Sequence, residues 1–322
     1  MNHKFSAGLW VFAQSEEKYG DYIGSWTVEE QIKAAATVSG LKGLELIAPL
    51  HVSMENIKNV KMWMKDAGLE TVAVNPYLWT EPQWQRGALT SPDPMVRAQA
   101  VDTAKKSIDI GRELGCSKMD LWPGEDGWDY LFQVNYGQMW DTSCECLRQI
   151  AEYDPTYQIG IEYKIGEPRM SQYINTAAKA ALLGAELGLA NVGVYLDYGH
   201  ALIARENPAD SVALLSRTRR LVGVHVNDNY GLEDDDMMVG SVHPWTLLEF
   251  LLALDEYGYN DWISLDIVPR RESAIKACIQ SFAAMKKIYR LIDRLDKVAL
   301  AKAQSQMDAV ETQRIVYGLI SD

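Results

Sequence analysis

Short runs of branched and aromatic residues alternate with amphipathic stretches along the whole chain. The apolar runs predict strands at 6–12, 43–48, 71–75, 118–122, 158–164, 193–197, 222–226 and 262–267. Between them, apolar positions spaced three and four apart predict helices, among them 28–38, 56–67, 95–114, 176–187, 209–217 and 245–257. Gly68, Gly115, Gly188 and Gly258 follow last turns, while Pro94 and Pro208 sit near first turns. Eight strands, each followed by a helix, predict an α/β fold of the (β/α)8 barrel kind. A doubly wound open sheet is the rival. No GxGxxG and no P-loop follows the first strand to support it.

Two stretches exceed a minimal barrel. Residues 77–94 form a long aromatic-rich loop after the third strand, on the face where barrel enzymes place their sites. Residues 273–318 read as nearly continuous amphipathic helix. The expected division is a catalytic barrel over 1–290 and a C-terminal helical arm over 291–322. The arm either packs on a neighbouring subunit, giving a homo-oligomer, or closes the barrel as a solvated helix.

Composition narrows the function classes. With 322 residues, 48% of them hydrophobic, the chain can bury a large core. A formal net charge of −13 argues against nucleic acid or an anionic membrane surface as partner. Cys116, Cys144, Cys146 and Cys278 suit neither a zinc knuckle nor a disulfide framework, and reduced thiols in a cytoplasmic protein are the expectation. The first residues carry no long apolar segment of a secretory signal, and no apolar run is long enough to span a bilayer.

The chemistry lies at the ends of the last four strands. Glu162 and Lys164 stand two apart in IEYK, so strand alternation puts both on one face. They form either a buried ion pair or a metal ligand beside a clamp for a substrate oxygen. Asp197 ends VGVYLD, and His200 follows past a Tyr-Gly turn. A capping aspartate with a satisfied histidine is the plainer account of that pair. His225 stands in VHVND, and Asp266 ends the last strand. Asp234, Asp235 and Asp236 follow His225 in an acidic loop, ordinarily a solvated run. Asp234 and Asp236 can instead point together at a second cation, with Asp235 facing away. Each element is weak alone. Carboxylates and imidazoles at four consecutive strand ends predict a site for a hard divalent cation and a metalloenzyme.

These residues carry a resemblance. IEYKIGEPRM, LWPGEDG, DDDMMVGSVH and the stretch 68–115 are similar to segments of the xylose-isomerase-like TIM-barrel superfamily of sugar isomerases and epimerases, and the similarity runs from about Thr71 to Asp266. Within it the ligand types resemble L-rhamnose isomerase most. The resemblance implies one cation held by Glu162, Asp197, His225 and Asp266, and a second by His200, Asp234 and Asp236. It implies Mn2+, Mg2+ or Co2+, one or two per chain, and a small sugar as substrate. Xylose isomerase carries a ring-opening histidine at the end of its second strand. Here Ile47 stands nearest that place, and His51 reaches it only if the loop folds back. Glu125 and Asp126 also replace an Arg-Glu pair.

The first functional expectation is therefore a metal-dependent aldose–ketose isomerase, with Glu162, Lys164 and Asp266 catalytic. Lys164 would bond the carbonyl oxygen where charge develops. Trp79 and Trp122 would wall the substrate off from water, or simply pack the core. His243 would touch substrate or cap the next helix. The second expectation keeps the metal and makes the reaction a ketose epimerisation, or an elimination from an oxidised 3-oxo sugar, with His51 or His243 as base. A non-catalytic sugar-binding protein on the same fold is the third; it has no need of two cation sites.

Overall fold

The computed structural model describes residues 4–13, 25–166 and 170–320. Eight strands form one sheet: β1 (Lys4–Gly8), β2 (Leu41–Ala48), β3 (Glu70–Pro76), β4 (Lys118–Leu121), β5 (Gln158–Glu162), β6 (Val192–Asp197), β7 (Leu221–Val226) and β8 (Trp262–Leu265). The helices are α1 (Val28–Ala36), α2 (Ile57–Ala67), α3 (Pro94–Leu114), α4 (Tyr136–Ala151), α5 (Ala177–Leu187), α6 (Tyr198–Ile203), α7 (Pro208–Arg217), α8 (Pro244–Glu256), α9 (Ala274–Arg294), α10 (Lys297–Ser305) and α11 (Ala309–Tyr317).

Hydrogen-bonded ladders run β3-β2-β1-β8-β7-β6-β5-β4, every one parallel. The sheet thus curls into a nearly closed (β/α)8 TIM barrel. At the remaining seam the Asn75 side-chain oxygen on β3 accepts the Asp120 backbone N–H of β4 at 2.9 Å. The strands are buried almost throughout, because residues of a parallel barrel face either the packed interior or the helix layer. Gly68, Gly115 and Gly188 cap α2, α3 and α5 in the left-handed conformation, and Pro94 and Pro208 open α3 and α7. All four cysteines are unpaired. No described helix is long and apolar enough to cross a membrane.

Two expectations change. The first strand ends at Gly8 rather than continuing to Phe12, and Leu9–Phe12 form a 3-10 turn. The turn folds the Trp10 ring back over Gly8, where a Cβ would lie 2.1 Å from it, so only glycine fits. The C-terminal stretch is three helices, not one. Leu295 is extended and Asp296 caps α10; Met307 has φ 54° and Asp308 caps α11. Aspartate capping and a left-handed residue override a continuous amphipathic pattern. The arm then folds back on α8, with Trp245 and Tyr317 ring centroids 5.5 Å apart and the Lys297 ammonium 2.6 Å from the Asp255 carboxylate.

Candidate active site

The ends of β5 to β8 bring four side chains to one point. Glu162, Asp197, His225 and Asp266 each present a ligand atom, all within 4.8 Å of one another. His225 Nδ1 lies 3.2 Å from Glu162 Oε1 and 3.4 Å from Asp266 Oδ2. Asp197 has two tasks. One carboxylate oxygen accepts the His200 N–H at 2.7 Å and so caps α6, while the Asn227 amide donates to both oxygens. Gly199 is required in this turn, since a Cβ there would sit 1.8 Å from Asn227 Oδ1. The capping account holds, and it leaves Asp197 within the converging group.

Above this cluster opens a cavity of about 480 Å³, lined on one side by Glu162, Lys164, His200, Asp234, Asp236 and Asp266, and on the other by Trp10, Ile47, Asn75, Tyr77, Trp79, Asp120 and Trp122. Lys164 Nζ is 2.7 Å from Asp234 Oδ2 and lies over the Trp122 ring, 5.1 Å from its centroid. His200 bridges the two acidic groups, with Nε2 3.0 Å from Asp234 Oδ2 and Nδ1 3.4 Å from Glu162 Oε1. Asp236 adopts φ 48°, and Asp235 turns away to accept the Tyr230 N–H. Trp79 and Trp122 meet edge to face with centroids 5.0 Å apart.

His51 and His243 were expected at the substrate and do not line this cavity. The loop after β2 does fold back, but the His51 ring is buried and its Nδ1 accepts the Ile47 N–H at 2.9 Å. Burial pushes its imidazole down to about 3. His243 is drawn to the Asp228 carboxylate at 2.9 Å, which also accepts the backbone N–H groups of Val242 and His243 and so ties off the acidic loop. Residues 167–169 of the IEYKIGEPRM motif lie outside the described residues.

Four site residues escaped the sequence reading. Glu45 of β2 is wholly buried, 3.2 Å from His225 Nε2. Asp120 of β4 is buried beside Glu162. Asn75 spans the β3–β4 seam, and the Trp10 indole donates to Asp266 Oδ1 at 2.6 Å. The signal was present for two of them. Glu45 in GLELIA and Asp120 in KMDLW are charges inside apolar strands, the same signal that singled out Glu162.

The electrostatics describe a site with more negative charge than its own bases can balance. Burial raises the Asp197 and Asp266 carboxyls, Asp266 to about 7, and neighbouring carboxylates add to it. Burial and Asp234 raise Asp236, and burial and Glu162 raise Asp120. Burial would lower His225 and His200. The carboxylates around them win, holding His225 well above its usual range and His200 at about 10. His200 Nδ1, Asp234 Oδ1 and Asp120 Oδ1 are buried with no hydrogen-bond partner among the described residues. Oxygen and imidazole donors converging with surplus negative charge and unpartnered atoms fit a hard divalent cation.

The xylose isomerase-like TIM barrel family model matches residues 32–288. Over 273 residues the chain is 26% identical to xylose isomerase of Thermus thermophilus, covering 80% of this chain and 70% of that one. It is 26% identical over 297 residues to a probable sugar isomerase of Mesorhizobium japonicum, covering 87% and 68%. Among solved structures, a D-tagatose 3-epimerase-like protein aligns with a TM-score of 0.70 at 21% identity, covering 91% of this chain and 99% of that one. A 3-keto-D-glucoside 4-epimerase from E. coli aligns at 0.68 and 18% identity, covering 89% and 100%. These structures share the fold.

Proposed function

The chain belongs to the xylose isomerase-like TIM barrel family, and from that premise we propose that it is a divalent-metal-dependent sugar isomerase that interconverts an aldose and a ketose. The observation that carries this reading is the convergence of Glu162, Asp197, His225 and Asp266 within 4.8 Å, with the Lys164 ammonium facing the same cavity. A cation such as Mn2+, held by those four residues, would bind adjacent sugar oxygens and draw charge from the carbonyl. Lys164 donates to the carbonyl oxygen as negative charge grows there, and Asp234 holds the ammonium in place. His200 holds the Asp234 carboxylate through Nε2 and lies beside Glu162. Trp79 and Trp122 exclude water from the path of the migrating hydrogen. A second cation at His200, Asp234 and Asp236 competes with Lys164 for Asp234.

That competition, together with Ile47 in place of a ring-opening histidine, favours a second reading: one cation, and epimerisation or elimination on a ketose or 3-oxo sugar. Neither His51 nor His243 is placed to be its base, so the base would come from the cavity carboxylates, Glu162 or Asp266. One experiment separates the two. The Mn2+-loaded protein is incubated with aldoses, ketoses and 3-oxo glycosides and the products are read by NMR, alongside metal analysis of the same sample. Aldose–ketose conversion supports the isomerase. Conversion confined to ketose or 3-oxo substrates with one bound ion overturns it in favour of the second reading. A homo-oligomer built through the arm remains part of the proposal, on the exposed Val298 and Val310; sedimentation of the whole chain tests it.

A further inference from the structure

Glu45 has no part in the chemistry above, yet it is a wholly buried carboxylate inside the barrel's second strand. An ionised carboxylate at 0% exposure is costly unless its oxygens are satisfied. Three donors reach it: the Tyr195 hydroxyl at 2.6 Å on Oε1, His225 Nε2 at 3.2 Å on Oε2, and the Asn75 amide at 3.4 Å on Oε2. They come from three different strands, β6, β7 and β3. The backbone is adapted to bring two of these groups together. The ladder between β2 and β3 shifts register between Leu44 and Glu45, and that between β6 and β7 shifts between Val194 and Tyr195. Such irregularities re-aim side chains next to sites.

The consequence falls on His225. Glu45 already accepts from the Tyr195 hydroxyl and the Asn75 amide, and so accepts from His225 Nε2 as well. A cation beside Glu162 and Asp266 would take the place of a proton on Nδ1. The other nitrogen, Nδ1, is the one that faces Glu162 and Asp266. Rotation of the ring is blocked by Tyr195, whose centroid is 4.5 Å away, and by Trp10 at 6.1 Å. Resting on the proposed cation site, we infer that Glu45 is the positioning residue that keeps the His225 proton on Nε2 and presents the Nδ1 lone pair to the ion. Tyr195 acts one step further out, by fixing the Glu45 carboxylate. Outer carboxylates of this kind typically change metal affinity ten- to hundredfold.

The test is calorimetric titration of the metal-free chain with MnCl2, for wild type, E45Q, Y195F and E162Q. The expected order is wild type tightest, Y195F weaker by a few-fold, E45Q weaker by about ten- to hundredfold, and E162Q without measurable binding. A second measurement needs no variant. In the Mg2+-loaded wild type, long-range 1H–15N spectra should show His225 protonated at Nε2 only. E45Q binding Mn2+ within about twofold of wild type, against the tenfold loss expected, would overturn the assignment, as would a His225 proton on Nδ1. Wild type that binds no Mn2+ fails differently: it removes the cation site itself, and the role of Glu45 falls with it.

Discussion

The mouth of the barrel has two halves built on the same backbone plan and given opposite chemistry. The ends of β5 to β8 present Glu162, Lys164, Asp197, His200, His225, Asp234, Asp236 and Asp266. The ends of β1 to β4 present Trp10, Ile47, Tyr77, Trp79 and Trp122, with Asp120 and Glu125 as the charged exceptions. One half concentrates carboxylates, as the proposed cation site requires. The other supplies apolar surface that keeps water away, and a cation bound in a dry site polarises its ligands more strongly than one in water. The halves meet where the Trp10 indole crosses from β1 to Asp266 and where Lys164 lies over Trp122. The barrel provides eight equivalent strand ends; which of them react is decided by side chains alone.

If that division is right, damage to the charged half should be the more severe. The largest effect is expected for the E162Q, D266N double variant, which alters two of the four converging side chains proposed as ligands. Bound Mn2+ measured by elemental analysis should vanish with turnover, while circular dichroism stays that of a folded barrel. Retained activity in this variant would end the metal reading. Exhaustive chelation of the wild type should reproduce the loss, and Mn2+ should reverse it.

Lys164→Met comes next. It keeps the bulk of the side chain over Trp122 and deletes the donor. Removing one preorganised donor to a developing oxyanion lowers kcat by about a hundred- to a thousandfold, with bound metal unchanged. A change confined to KM would reduce Lys164 to a substrate clamp. On the opposite half, Trp122→Ala should lower kcat/KM by roughly tenfold, the scale of about 1.4 kcal/mol in the barrier, with metal content intact. A loss as deep as that of Lys164→Met would dissolve the distinction between the halves.

The same division explains what could be read from the chain. The strands were legible because a parallel barrel makes each one an uninterrupted apolar run, and Glu162, His225 and Asp266 stood out as charges ending such runs. Glu45 and Asp120 gave the same signal and were passed over because each sits in the half that otherwise reads as packing. Trp10 carried no signal at all. Its role depends on a turn after Gly8 and on β1 lying next to β8, a contact between residues 256 apart in sequence. The loop histidines misled because strand period says nothing about where a loop folds. The arm misled because Asp296 and Asp308 cap new helices inside a pattern that stays amphipathic across the breaks.

His51 gives the smallest effect on activity and the sharpest check on the quiet half. It lies in the loop after β2, buried, with Nδ1 accepting the Ile47 N–H, so the folded state holds it neutral. Its folded value is depressed to about 3, against roughly 6.5 for an unfolded histidine. Between those values the unfolded chain binds a proton that the folded chain does not, so stability falls as pH falls, by up to about 1.4 kcal/mol per pH unit. Above about pH 6.5 both states are neutral and the group contributes nothing to the slope. His51→Asn retains an acceptor for Ile47 and removes the titration. Urea unfolding at intervals from pH 7 to pH 4.5 should show wild type losing about 2–3 kcal/mol more than the variant, with kcat at pH 7 the same for both. Equal pH slopes would mean that His51 is protonated in the folded chain. A fall in kcat at pH 7 would bring this loop back into the site.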